Sequence, residues 1–140
     1  MKKVFFILLL LTLMLSIHHN NAGEKKKNNS YIKVVYFHTD YRCETCTNLE
    51  NYSKETIDKY FGKELKSGKI KWKTINYEKK GNEHYVDDFN LFNKSLVMLK
   101  YVDGKMTEWK NCEKIWEKVF EKDEYIEYVK DEINSYLKGI

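Results

Sequence analysis

Apolar positions come in blocks whose spacing changes along the chain. Val4 to Ile17 is almost wholly apolar. Ile32-Lys33-Val34-Val35-Tyr36-Phe37 is a second dense block, short and rich in β-branched and aromatic residues. It predicts a buried strand, central in a sheet with both faces covered. A polar turn, His38-Thr39-Asp40-Tyr41-Arg42, follows. Beyond it Cys46, Leu49, Tyr52, Ile57, Tyr60 and Phe61 fall at three- and four-residue steps, the pattern of a helix with one apolar face. That helix can continue through Leu65 to a stop at Ser67-Gly68.

Ile70, Trp72 and Thr74 then alternate with Lys71 and Lys73, the period of a half-covered strand. Lys79-Lys80-Gly81-Asn82 predicts a turn, and Tyr85, Phe89 and Phe92 a short helix. Ser95 to Val102 is another strong strand, Asp103-Gly104 a hairpin turn, and Lys105 to Asn111 the return strand. Ile115, Trp116, Val119 and Phe120, then Ile126, Val129, Ile133 and Leu137, predict one long C-terminal helix or two broken near Asp123. The order is β-α-β-α-β-β-α, an α/β class. A right-handed crossover would make the first two strands parallel.

The first apolar block changes the picture at the N-terminus. Lys2 and Lys3 precede it, and fourteen residues suit a signal peptide but fall short of the roughly 20 a spanning helix needs. Residues 1–22 read as a signal peptide cleaved after Ala22, with an uncleaved membrane anchor as the rival; Asn20 is a poor residue two positions before the cut. No cysteine follows the block, which argues against a lipid anchor, and His18-His19 are incidental to the exit region. Residues 23–30 form a solvated linker and 31–138 one domain, in the periplasm or cell envelope. The 25 basic and 21 acidic residues are interleaved, so their net +4 implies no nucleic-acid partner. Membrane contact is expected only if the signal segment is retained. Aromatics make up 15% of the chain but fall at core spacings, which assigns them to packing.

Cys43-Glu44-Thr45-Cys46 lies between the first strand and the helix. The partial positive charge of a helix N-terminus favours a thiolate over a thiol. Cys43 is the expected nucleophile, and Cys46, one turn in and more shielded, the resolving thiol. Arg42 favours a thiolate on Cys43 and Glu44 opposes it, so the direction of the redox reaction stays open. His38 and Asp40 could each carry a proton to the pair through water, or cap the loop. Cys112, in Asn111-Cys112-Glu113, reads as a half-buried structural thiol at the cap of the last helix. The rival readings make it a third ligand or a mixed-disulfide partner.

The segment resembles the redox segment of the thioredoxin-like superfamily. More narrowly, Tyr36-Phe37-His38 with Arg42-Cys43-Glu44-Thr45-Cys46 resembles the ArsF family, named for a nitrophenyl compound nitroreductase subunit, over Tyr31 to Leu137. The resemblance implies a three-layer thioredoxin-like fold with a mixed central sheet. It also implies thiol chemistry at Cys43 and Cys46; nothing resembles a flavin or nicotinamide site, so no cofactor is expected. Two departures stand out. The chain contains no proline, whereas thioredoxin-like oxidoreductases carry a cis-proline before the third strand, here at Ser95 or Leu96. A non-proline cis bond costs about 2.5–4 kcal/mol, so a trans bond is expected. The second departure is the buried acid that thioredoxins place in the first strand: Val34 to Phe37 read as apolar.

Three function classes remain. The leading one is an exported thiol–disulfide oxidoreductase acting on a protein or small-molecule disulfide or dithiol; a static structural disulfide is its plain rival. The second is binding of a soft metal or metalloid, favoured by the absent proline and by the arsenic association the ArsF resemblance implies. Zinc there would need His38, Cys112 or a second copy to complete its ligands. The third is a non-catalytic thioredoxin-fold interaction domain.

Overall fold

The computed structural model describes residues 29–140; the expected signal peptide and all but the end of the linker lie outside the described residues. The elements are β1 (Tyr31–His38), α1 (Glu44–Tyr60), α2 (Gly62–Ser67), β2 (Ile70–Asn76), α3 (Tyr85–Asp88), β3 (Ser95–Val102), β4 (Lys105–Asn111), α4 (Ile115–Lys118) and α5 (Lys122–Leu137). The four strands form one mixed sheet in the order β2-β1-β3-β4. β1 runs parallel to β2 and antiparallel to β3, and β4 returns antiparallel to β3. The observed order is β-α-α-β-α-β-β-α-α, with short helices α2 and α4 that the expected β-α-β-α-β-β-α order did not contain.

β1 is central because both of its faces are apolar. Ile32, Val34 and Tyr36 join Leu96 and Met98 in the main core, closed by Leu49 and Ile57 of α1 and Val129 and Ile133 of α5. Val35 and Phe37 point the other way, to Val97, Leu99, Phe89 and Leu91. Each such buried aliphatic or phenyl side chain contributes about 1.5–3 kcal/mol relative to exposure. The two faces differ in cover: two long helices lie on the first, only α3 and the segment after it on the second. On the first face Tyr125 of α5 ties the helices together. Its hydroxyl donates to the Leu49 carbonyl at 2.9 Å and lies 2.7 Å from the Ser53 hydroxyl.

Several expectations need correction. The helix after the cysteines breaks at Phe61, whose φ of −125° and ψ of 24° end α1 and open α2. Ser53 and Thr56 take core positions in α1, while Tyr60 is largely exposed. Their hydroxyls bond back to carbonyls one turn earlier, which makes their burial tolerable. Phe92 does not share the α3 face and is 92% exposed, because α3 ends at Asp88 and Asn90 turns the chain at φ 50°. Phe120 is likewise 76% exposed: of the two C-terminal alternatives the structure has the broken one, two helices parted before Lys122, where Glu121 is extended. The hairpin signal holds, with Asp103 and Gly104 both at positive φ, 50° and 80°. Gly68 closes α2 in the left-handed region at φ 77°. Among the described residues no helix is long and apolar enough to cross a membrane.

Candidate redox site

The site forms where β1 ends and α1 begins. Cys43 is the N-cap of α1, with φ −80° and ψ 165°, and Cys46 lies in the first turn. The two are joined as a disulfide with a Cα–Cα distance of 5.0 Å. The sulfur of Cys43 occupies the place a serine or aspartate oxygen takes in an ordinary cap. It accepts a hydrogen bond from the Cys46 amide at 3.1 Å. The Thr47 amide donates to the Cys43 carbonyl at 3.0 Å, starting the helical ladder. Cys43 is half-buried, whereas Cys46 is 1% exposed. An attacking group therefore reaches Cys43 first, and the Cys46 amide stands ready to stabilise negative charge on that sulfur.

Beneath the pair is a residue that sequence reasoning missed. Tyr36 is fully buried in the main core, and its hydroxyl donates to the Cys46 carbonyl at 2.7 Å. Burial holds the phenol well above its ordinary range, so it stays a neutral donor. Its signal was available in outline: Tyr36 shares the β1 face of Ile32 and Val34, and of these three buried residues it alone carries a side-chain polar atom. Counting it as apolar hid the hydroxyl.

The other candidates are placed as follows. Arg42 is ion-paired with Glu50, one turn beyond Cys46, and its guanidinium lies 5.9 Å from the Tyr36 ring centre. Its charge is thus shared with a carboxylate and not directed at Cys43 alone. His38 is half-buried, with Nδ1 2.9 Å from the Thr39 carbonyl and its ring 6.3 Å from that of Tyr36. Asp40 is clamped to the end of β2. Lys79 lies 2.6 Å away, the Asn76 amide donates at 2.7 Å, and the Asp40 amide donates to Glu78 at 2.7 Å. The Lys79 and Asn76 contacts hold its carboxyl below the usual range. Asp40 is engaged as a loop clamp.

The segment before β3 completes the surroundings. Ser95 pairs in register with Phe37 and donates its hydroxyl to the Asn93 carbonyl at 2.9 Å. No peptide bond among the described residues is cis. Lys94 lies over the Tyr41 ring at 5.5 Å, joining this segment to the one before Cys43. A groove of ≈ 290 Å³ runs alongside, lined by Phe92, Lys94, Ser95, Asn111, Ile115 and Trp116.

Cys112 is completely buried in the main core, not half-buried as expected. It does not cap the last helix: it follows β4, its amide donates to Leu96 at 2.8 Å, and α5 begins ten residues later at Lys122. Burial, with Glu132 adding and Lys110 and Tyr128 opposing, pushes its thiol up to about 12. Among the described residues no three His, Cys, Asp or Glu side chains gather as a metal site. Comparison with known families and with curated proteins gives no match: no family model fits this chain, and no curated protein is similar to it.

Proposed function

We propose that this chain is an exported thiol–disulfide oxidoreductase with a thioredoxin-like fold. The four-stranded mixed sheet and the strand–Cys-x-x-Cys–helix order support the fold reading. The observation that carries the function is the asymmetry of the pair: a half-buried cysteine at the helix cap and a fully buried one in the first turn.

In the reducing direction, the Cys43 thiolate attacks one sulfur of a substrate disulfide. That forms a Cys43–substrate disulfide and releases the other substrate sulfur as a thiolate. Cys46 then loses its proton to solvent and attacks the Cys43 sulfur. The intramolecular disulfide forms and the second substrate thiolate leaves, two electrons having passed to the substrate. The oxidising direction is the same sequence reversed. A purely structural bridge is the weaker account, since closing so short a loop stabilises by only about 2 kcal/mol.

The test is insulin-disulfide reduction by the full chain with dithiothreitol as donor, against Cys43→Ser. Loss of turnover in the variant is expected; equal rates would leave a structural bridge or a non-catalytic interaction domain. Export is tested separately, by N-terminal sequencing of material from the cell envelope. A start near Gly23 is expected, and an intact Met1 would show a retained anchor.

A further inference from the structure

Among the described residues, the second face of the sheet is covered mainly at one end. Val35, Phe37, Val97 and Leu99 lie under Phe89 and Leu91, at the end that carries the cysteines. Towards the start of β1 the same face carries Tyr31, Lys33, Lys71, Lys73, Tyr101 and Trp109, with Trp109 at the boundary, edge-on to Phe89 at 5.5 Å. Register places them together: Tyr31 opposes Tyr101, Lys33 opposes Lys71 and Leu99, Val35 opposes Lys73, and Leu99 opposes Trp109.

The arrangement is ordered. The rings of Tyr31 and Tyr101 stack at 4.7 Å, with the Lys71 ammonium 3.5 Å from the first ring and Lys33 4.6 Å from the second. Trp109 and Met106 extend it across the edge strand and are 37% and 46% exposed. None of the strand positions that share this face carries a carboxylate. A sheet face normally buries itself against another layer; here half of one is aromatic and basic, with Lys71, Lys73, Met106 and Trp109 exposed and Tyr31, Lys33 and Tyr101 half-buried.

We propose that this face rests on an anionic lipid surface. Tyrosine and tryptophan favour the headgroup region of a bilayer, and lysines beside them add electrostatic attraction to acidic lipids. The position of the preceding chain supports a bilayer as the occupant. Asn29 lies at the tip of the β3–β4 hairpin, its side chain against Gly104, so the chain enters at this open end. Lys25, Lys26 and Lys27 come just before it, and the apolar block ends at Ile17. In the precursor, before cleavage after Ala22, an extended chain from Ile17 to Tyr31 reaches about 50 Å at most, which keeps the face close to any membrane the block enters. A second copy of the chain is disfavoured, because face-to-face pairing would bring two sets of lysines together with no acid between them. The proposal is independent of the thiol chemistry.

The test uses the full chain in vesicles of phosphatidylcholine alone and of phosphatidylcholine with phosphatidylglycerol. The apolar block is present in both, so the difference reports the face. Lysine acylation is read by mass spectrometry, with Lys63 and Lys66 of α2 as internal references. Lys33, Lys71 and Lys73 should be protected several-fold only with the acidic lipid, and high salt should remove the protection. Met106→Glu, at an exposed edge position that tolerates the change, should remove it as well. Equal acylation in the two lipids overturns the proposal, as does protection that is equal at the reference lysines or survives Met106→Glu. Stronger protection by a single-stranded oligonucleotide than by vesicles at equal phosphate assigns the face to nucleic acid and also overturns it.

Discussion

The Tyr36 hydroxyl donates to the Cys46 carbonyl at 2.7 Å from within the core, fastening the first turn of α1 to the central strand beneath the disulfide. The carbonyl keeps its helical partner four residues on, so Tyr36→Phe removes one hydrogen bond without orphaning an acceptor. The expected cost is about 0.5–1.5 kcal/mol in denaturant unfolding. Because the bond acts on the turn that holds both sulfurs, the redox potential of the pair should move too. An unchanged potential in a folded variant would restrict Tyr36 to a structural role.

The two site cysteines should not react alike. Limited iodoacetamide labelling of the reduced chain near neutral pH, followed by peptide mapping, should find Cys43 modified well before Cys46. Cys43 holds the cap position and the better access, while Cys46 is buried. Cys46→Ser should accumulate mixed disulfides through Cys43, and Cys43→Ser should trap almost none. Equal labelling, or Cys46 first, would reverse the assignment of nucleophile and resolver.

Cys112 should be silent in catalysis and visible in alkaline stability. Its thiol stays protonated to about 12 in the fold. In the unfolded chain it ionises near 8.5. The stability this contributes is complete below the unfolded value and is lost as pH rises towards the folded one. Between about pH 8.5 and 9, before the tyrosines join in, the loss from this thiol is at most about 1.4 kcal/mol per pH unit. Cys112→Val should flatten that slope with the site disulfide kept oxidised, and should leave insulin reduction intact. An unchanged slope would show that Cys112 is not shielded; a loss of activity matching Cys43→Ser would bring it into the site.

Asp40 gives the opposite sign. Its contacts with Lys79 and Asn76 depress the carboxyl, so they support the fold above the ordinary carboxylate range and weaken as pH falls through the lowered value. Asp40→Asn should therefore leave the pH profile of Cys43 alkylation unchanged between about pH 5 and 9. A displaced midpoint would instead make Asp40 a proton carrier for the thiols.

By itself the sequence determined the elements and the chemistry that adjoins a single turn of chain. The dense β1 block, the alternation in β2, the paired positive-φ positions at Asp103-Gly104 and the Cys-x-x-Cys ahead of an apolar helix face are local patterns. Backbone sterics and side-chain periodicity read them without reference to the rest of the molecule. Tertiary structure decided whatever depends on a partner distant in the chain. Tyr36 became a hydrogen-bond donor because α1 lies across β1 and brings the Cys46 carbonyl to it. Arg42 was drawn to Glu50, and Asp40 to Lys79 and Asn76, by contacts that adjacent residues do not announce. Phe92 and Phe120 kept their helical spacing but lost their helices, since Asn90 and Glu121 turn the chain first. Cys112 looked like a cap and became core, because β4 delivers it behind β3 where the C-terminal helix closes over it. Periodicity selects a face; only the assembled sheet and helices determine what that face meets.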